Sequence, residues 1–181
     1  MVTRFANRYR IASIRLPYWN YASPGWYFVT LCTRQRHRRY FGNIIDGIVQ
    51  LSDMGMIVLD EWLRTPIIRS NITLDAWIIM PDHFHGILVI GDHHHIPGIF
   101  HPYGHGVETP RRGVSTTHRW QPNTLGSIIN QFKSICTKRI RSIGYPQFQW
   151  QPRFYERIIR TPRELQMVRR YIWENPEKWA K

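Results

Sequence analysis

Two histidines flank one phenylalanine at His83, Phe84 and His85, at the start of the apolar run HFHGILVI. On a β-strand, residues i and i+2 point to the same face, so the two imidazoles would lie side by side while Phe84 enters the opposite face. Two neighbouring imidazoles on a rigid backbone can bind one divalent metal ion. The alternative is a pair of half-buried polar side chains that bond to their neighbours. We favour the metal site, because the pair falls in the centre of a predicted sheet in a very basic chain.

A metal site with two histidines needs further ligands. The candidates are Asp82, the histidines 93–95, and a side chain that a helix contributes. An ion held there would act as a Lewis acid on a phosphate oxygen and would orient the scissile bond of a phosphodiester. The sequence contains no GxSxG, P-loop or HExxH motif and no cluster of paired carboxylates. Tyrosine is therefore the nucleophile to consider.

Tyr171 and Asn175 are four residues apart on a predicted helix, so they lie on one face of it. Leu165, Val168 and Ile172 form the apolar stripe beside them, which places the phenol and the amide where the helix meets the sheet. The alternative is a tyrosine at the rim and an asparagine that ends the helix before a proline. Tyr155 is a rival nucleophile, but its basic neighbours Arg153 and Arg157 are more typical of substrate contact.

The net charge points to a polyanionic partner. The 181 residues include 25 Lys and Arg against 12 Asp and Glu, which gives a charge of +13 and a pI of about 10.4. Phosphates attract such a surface, because each one neutralised releases condensed counterions. Aromatic residues are interleaved with the basic clusters, and this mixture suits unpaired bases. A solvated basic surface and attraction to an anionic membrane are the alternatives.

Length and composition predict one globular domain over 1–181, with a basic and aromatic arm at 1–24 and a flexible, Gly/Pro/His-rich insertion at 91–122. The two cysteines, Cys32 and Cys136, are far apart and indicate neither a disulfide framework nor a zinc–thiolate site. Because Arg4 and Arg8 are followed by no apolar segment, and because no apolar run could span a bilayer, we expect a cytoplasmic protein without signal peptide or membrane partner.

The elements that must position these residues follow from periodicity and from Gly and Pro. We predict strands over 26–33, 72–80, 83–90 and 148–160, and helices over 51–66, 124–144 and 161–176, with Pro66 ending the first helix. The second and third strands form a hairpin through Pro81 and Asp82. This order predicts an α+β fold, a ferredoxin-like antiparallel sheet with helices packed mainly on one face.

At these residues the chain resembles a known family. HFH at His83–His85 looks like the His–hydrophobic–His signature of the HUH single-strand DNA endonucleases. YIWENP at Tyr171–Pro176 looks like the tyrosine motif of single-tyrosine HUH transposases, and in particular of the REP-associated tyrosine transposases. The similarity continues through YFVTLCT, AWIIMPDHFHGILVI and WQPRFYERIIR, in the expected order and over most of the chain.

The resemblance implies a site and a reaction. It implies that His83 and His85 bind Mg²⁺ or Mn²⁺, that Asn175 is a third, polar metal ligand and that Tyr171 is the nucleophile. The implied reaction is in-line attack of Tyr171 on a DNA phosphate, which leaves a 5′-phosphotyrosine and a free 3′-hydroxyl. Because transesterification conserves the energy of the bond, no nucleotide-hydrolysis motif is needed.

The resemblance also implies the partner, which is single-stranded DNA with hairpins of repeated extragenic palindromes, in a bacterial cytoplasm and at the nucleoid when bound to DNA. The family includes monomers and homodimers, and the sequence leaves both open. Our candidate DNA contacts are Arg8, Arg10, Arg15, Arg34, Arg36, Arg38, Arg39, Lys133, Arg153 and Arg157. Two other functions stay open at this point: a non-catalytic nucleic-acid-binding module on the same sheet, and a metal phosphodiesterase that activates water.

Overall fold

The computed structural model describes residues 16, 18–91 and 123–179, together with the backbone of two short strands near the N-terminus. Those strands, β1 (Arg4–Phe5) and β2 (Arg8–Tyr9), pair with each other in antiparallel register. The insertion predicted at 91–122 lies outside the described residues except for Gly91. The histidines 93–95, considered above as metal ligands, lie outside them as well.

The described elements are β3 (Gly25–Cys32), β4 (Gly42–Ile45), β5 (Ile48–Leu51), α1 (Asp53–Ile68), β6 (Ile72–Ile79), β7 (His83–Ile90), α2 (Leu125–Ser142), β8 (Tyr155–Ile159), α3 (Pro162–Trp173) and α4 (Asn175–Trp179). The central sheet has the order β6-β7-β3-β8, and every neighbouring pair is antiparallel. This is the strand order of a ferredoxin-like sheet, and the predicted α+β class is confirmed.

The two faces of the sheet carry separate apolar layers. Tyr27, Val29 and Leu31 alternate along β3 into the larger layer, where they meet α1 and α2. Phe28 points to the other face and packs in a smaller layer with Ile172 of α3. Two of the three long helices therefore share one face, as predicted, while α3 covers the face that carries the histidines.

Polar caps set the helix starts that the sequence predicts. The hydroxyl of Ser52 accepts a hydrogen bond from the backbone N–H of Gly55 (3.2 Å) at the start of α1. Thr161 caps α3 in the same way, and Pro162 takes the first helical position, where a missing N–H costs nothing. The predicted stop at Pro66 is wrong, because α1 continues to Ile68. Pro66 lies close to the end of α1, where a proline removes only one hydrogen bond and the last turn still forms.

Three further predictions differ from the structure. The single helix predicted over 161–176 is divided, since α3 ends at Trp173 and α4 begins at Asn175. The stretch before α1, in which we predicted no strand, contains the antiparallel hairpin β4–β5. Asp46 and Gly47 form its turn, both at positive φ (51° and 74°). The strand predicted over 148–160 is confined to β8 and an isolated bridge between Trp150 and Thr33. Pro152 and the left-handed Arg153 (φ 64°) interrupt it.

Gly86 lies between the two apolar layers at the centre of β7. A Cβ built on Gly86 would come within 2.7 Å of the rings of Phe84 and Trp62. Those two rings pack at a centroid distance of 4.6 Å directly behind the histidine strand. The absence of a side chain at Gly86 therefore allows the large rings to support the strand that presents the imidazoles.

We expect Gly86→Ala to lower the free energy of unfolding by about 1–3 kcal/mol, because the added methyl overpacks a full core. Urea denaturation measures this directly. Gly47→Ala is the control for a glycine with open space around it, although its positive φ adds a strain of its own. An unchanged unfolding midpoint in Gly86→Ala would contradict the packing described here.

Candidate active site

The two histidines lie on β7, an interior strand of the sheet. Their register partners on β3 are Cys32 and Thr30. The side chains of His83 and His85 are buried on the α3 face, while Phe84 enters the larger apolar layer, as the alternation of a strand predicts. The backbone of an interior strand is held on both edges, so the two imidazoles are presented by a rigid support.

The imidazoles meet through their Nε2 atoms, which are 3.0 Å apart, with the rings at 80° to each other. Two nitrogen ligands about 2.1 Å from one ion and at right angles around it would be about 3.0 Å apart. The spacing of the two nitrogens therefore fits a shared divalent metal ion.

Asp82 fixes the orientation of His83 from the opposite side of the ring. The Nδ1–H of His83 donates to Asp82 Oδ1 at 2.5 Å, and Arg36 Nε donates to Asp82 Oδ2 at 2.8 Å. Since Asp82 occupies the nitrogen that faces away from His85, it positions a ligand and does not act as one here. Such a carboxylate bond leaves Nε2 of the neutral ring with its lone pair free for a metal.

Thr30 fixes the orientation of His85 as Asp82 fixes that of His83. Its hydroxyl Oγ1 lies 2.8 Å from His85 Nδ1. A hydroxyl can both donate and accept, so it satisfies either tautomer of the ring. When Nδ1 of His85 donates to Thr30, Nε2 of His85 also presents a lone pair towards His83.

Burial favours the neutral form of both imidazoles, which is the form that binds metals. Desolvation lowers the pKa of His85 to about 3, and the neighbouring His83 adds to this. Desolvation also lowers the pKa of His83, against the opposing effect of the Asp82 carboxylate.

We expect Asp82→Asn and Thr30→Val each to weaken Mn²⁺ binding about 10–100-fold, because each removes the partner that orients one imidazole. Isothermal titration of the protein with Mn²⁺ measures the affinity. Thr65→Val is a matched control, since Thr65 is a buried threonine of α1 whose hydroxyl bonds only within its own helix. Equal affinity in wild type and both variants would show that neither residue positions a ligand.

Helix α3 brings Tyr171 to the histidines. Leu165, Val168 and Ile172 are buried against the sheet, and the Tyr171 hydroxyl lies 3.5 Å from His85 Nε2. Phe28 joins the two rings, since it stacks on His85 at 5.5 Å and meets Tyr171 edge-on at 6.0 Å. Tyr171 is 44% exposed, so its phenol is accessible from the open side of the cleft.

An ion pair fixes α3 on the sheet two residues before the tyrosine. Arg169 donates through Nε and Nη2 to the two carboxylate oxygens of Asp75 (2.7 and 2.6 Å). Asp75 is nearly fully buried, in β6 next to the irregularity between Leu74 and Trp77. The two-point contact fixes the rotation of the helix, and with it the direction of Tyr171.

We expect Asp75→Ala to lower the free energy of unfolding by about 2 kcal/mol, since it leaves Arg169 partly buried without its partner. Asp75→Ala combined with Arg169→Met should recover part of this loss, because the unpaired charge is gone. Urea denaturation of the two variants tests the pair. A single variant as stable as wild type would mean that the ion pair does not hold α3.

An open cleft of about 680 Å³ surrounds the histidines and Tyr171. Asn175 and Trp179 of α4 line it. The amide Nδ2 of Asn175 donates to the carbonyl of Tyr171 (3.1 Å), so Oδ1 is the atom of this side chain that suits a metal. The indole of Trp179 lies 5.5 Å from the His83 ring. We did not expect Trp179 or Thr30 at the site from the sequence.

The structure places the predicted DNA contacts in different surroundings. Arg34, Arg36, Arg38 and Arg39 are exposed between β3 and β4, and Arg36 lines the cleft. Arg157 also lines the cleft, and it bonds to Glu164. Lys133 donates to the carbonyls of Gln151 and Arg153. The side chain of Arg8 and all of Arg10 and Arg15 lie outside the described residues.

Within 18–91 and 123–179 there is no group of three or more His, Cys, Asp and Glu side chains arranged to hold a metal ion. Among the described residues, the candidate centre is therefore a pair of imidazoles. Among the described residues, no helix is both long and apolar enough to cross a membrane.

The sequence has a full-length relative. The chain is 32% identical over 180 residues to an uncharacterized protein of Haemophilus influenzae, which covers 99% of this chain and 96% of the relative. It belongs to the same family as that protein. No established family model matches the chain.

Comparison with solved structures supports the fold. The chain superposes on the structure of a REP-associated tyrosine transposase bound to a REP hairpin with a TM-score of 0.59 at 18% identity, over 93% of this chain and 74% of the other. A Deinococcus radiodurans protein provisionally assigned as a transposase gives a TM-score of 0.42 at 16% identity, over 85% of this chain and 92% of the other. The first comparison shows that the protein has a transposase-like fold.

Proposed function

We propose that this protein is a transposase-type enzyme that cleaves and rejoins single-stranded DNA through a covalent tyrosine intermediate. The observation that carries the proposal is the convergence of the Tyr171 hydroxyl with His83 and His85 in one open cleft. The resemblance of HFH and YIWENP to the HUH motifs and the transposase-like fold support it.

The reaction that we propose conserves bonds and protons. The Tyr171 oxygen attacks the phosphorus of a phosphodiester, a bond forms between that oxygen and phosphorus, and the bond from phosphorus to the 3′-oxygen breaks. The phenol gives up its hydrogen and the leaving 3′-oxygen takes one. The product is a 5′-phosphotyrosine with a free 3′-hydroxyl, and a later 3′-hydroxyl reverses the step.

Residues of this chain orient the imidazoles and the phenol. Asp82 and Thr30 hold the imidazoles, and the ion pair of Arg169 and Asp75 holds α3 so that the phenol faces them. Arg36 and Arg157 line the cleft and attract the phosphate. We propose that His83, His85 and Asn175 would hold Mg²⁺ or Mn²⁺, which when bound supplies positive charge to a phosphate oxygen.

The partner that we propose is single-stranded DNA that carries a hairpin. The solved relative of this fold was captured with a REP hairpin, and exposed aromatic rings in the cleft suit unpaired bases. Tyr155 is 50% exposed and contacts Phe28 beside the histidines. Rings of this kind stack on bases without regard to sequence.

The test is to incubate the protein and Mn²⁺ with hairpin-bearing oligonucleotides labelled at the 5′ or the 3′ end, with and without EDTA, and to run denaturing gels. We expect the segment downstream of the break to be retained on the protein, and only without EDTA. Cleavage with no retained label would indicate a phosphodiesterase that activates water. Binding to several hairpins without cleavage would indicate the non-catalytic module.

A further inference from the structure

A second open groove, of about 640 Å³, runs along α2 on the side of the sheet away from the histidines. Residues of α2 from Asn130 to Arg141 form one wall, and Gln149 and Trp150 form the other. The groove is separate from the cleft that holds Tyr171. It is not used by the reaction proposed above.

The lining of the groove is positive. Lys133, Lys138 and Arg141 line it, and no acidic side chain is found among the described residues that do so. Lys138 and Arg141 are exposed. Arg141 donates to the carbonyl of Phe148 (3.3 and 3.2 Å) and keeps its charge at the surface. This charge fits a row of phosphates.

The length of the groove fits a stretch of duplex. Asn130 to Arg141 are twelve residues of a helix, and the eleven steps between them span about 16 Å at 1.5 Å per residue. One strand of B-form DNA advances about 3.4 Å per base pair, so the wall matches about five base pairs. The basic residues recur along it at Lys133, Lys138 and Arg141, on one side of α2.

The rings distinguish the groove from the cleft. Trp150 is the aromatic residue that lines the groove in the described chain, and at 8% exposure it is packed in the core with Phe41 and Phe132. The cleft, in contrast, exposes Tyr155 and Tyr171 by about half. Unpaired strands are bound by stacking on accessible rings, whereas a duplex is held mainly through its phosphates. The groove therefore suits paired DNA.

Basic side chains connect the two sites. Arg36 lines the cleft, and Arg34, two residues before it, donates through Nη1 to Gln149 Oε1 (2.5 Å) at the edge of the groove. The backbone of Arg34 also donates to the carbonyl of Gln149. The segment after β3 therefore places one basic side chain in the cleft and another beside the groove.

We propose that this groove binds the sugar–phosphate backbone of the paired segment of the DNA whose unpaired strand lies in the cleft. The inference rests on the proposed function. Lys138 and Arg141 contact phosphates, and Lys133 supports the wall through its bonds to the carbonyls of Gln151 and Arg153.

The test compares two DNA probes, a stem-loop with an unpaired tail and the same tail alone, by fluorescence anisotropy in EDTA. Lys138→Glu combined with Arg141→Glu should weaken binding of the stem-loop about tenfold or more, and should reduce the slope of log K against log salt by about 2. The tail alone should bind within about twofold of wild type. Arg64→Glu, a reversal at an exposed arginine of α1, is the matched control.

Equal weakening for both probes would overturn the proposal, and so would unchanged binding of the stem-loop. Ser134→Glu is a second variant for the same test, for use if the double variant does not fold. Ser134 is exposed and lines the groove, and this substitution does not remove the hydrogen bond from Arg141 to the carbonyl of Phe148. Because no strand is cleaved in EDTA, the result is independent of the nucleophile. Failure of the proposed function would appear instead as a missing covalent product in the gel experiment.

Discussion

Tyr171→Phe is expected to abolish the covalent protein–DNA product while DNA binding is retained. The variant removes only the hydroxyl that faces His85 Nε2, and the ring keeps its contacts with Phe28 and His85. Loss of a nucleophile lowers a rate by about 10⁴-fold or more, so no product should be visible on a denaturing gel. Anisotropy with the hairpin oligonucleotide measures the retained binding.

Tyr145→Phe is the matched control for this variant. Tyr145 is 45% exposed, nearly the same as Tyr171 at 44%, and follows α2 outside the cleft. It should form the covalent product at the wild-type rate. Tyr171→Phe protein that still cleaves the DNA would exclude the tyrosine mechanism and favour water as the nucleophile.

His83→Ala and His85→Ala are expected to have the second largest effect. Each removes one of the two nitrogens that lie 3.0 Å apart, so each should abolish Mn²⁺ binding in a calorimetric titration and reduce cleavage about 10³-fold. The lone remaining imidazole cannot form a chelating pair. The fold should persist, because the rings of Phe84 and Trp62 behind the strand are untouched.

His37→Ala is the control for the histidine variants, since His37 is exposed between β3 and β4. It should titrate Mn²⁺ as wild type does. If the His83 and His85 variants bind Mn²⁺ normally, the ion is held elsewhere in the chain and the imidazole pair is structural. Tyr171→Phe and the histidine variants together separate the three candidate functions.

The sequence predicts the parts of the site that depend on local periodicity. His83 and His85 share a face because side chains alternate along a strand. Tyr171 lies on the predicted helix, whereas Asn175, predicted on that same helix, begins α4 after Glu174. The capping threonine and proline before α3 also predict its start. These relations depend only on neighbouring residues, so they can be predicted from the sequence without knowledge of the fold.

The missed residues depend on contacts between distant segments. Thr30 reaches His85 only because β3 and β7 pair in one register. Asp82 was a candidate ligand from the sequence, but its role as the partner of His83 Nδ1 and Arg36 depends on the fold. One signal was available: Asp75 is the single charged residue in the apolar run ITLDAWII. A lone carboxylate in a buried strand requires a partner, and Arg169 is that partner.

The hairpin β4–β5 was missed for another reason. Its strands are four residues each and half exposed, with an Asp46–Gly47 turn that signals a hairpin only when both flanking strands are recognised. Short strands with little buried surface give a weak periodic signal.

Identification of the residue that carries DNA tests the central claim most directly. The protein is incubated with Mn²⁺ and hairpin-bearing DNA, then digested with nuclease and trypsin, and the modified peptide is sequenced by mass spectrometry. Trypsin separates YIWENPEK, which begins at Tyr171, from FYER, which contains Tyr155. We predict a nucleotide adduct on Tyr171; an adduct on Tyr155, or cleaved DNA with no modified peptide, would contradict the account.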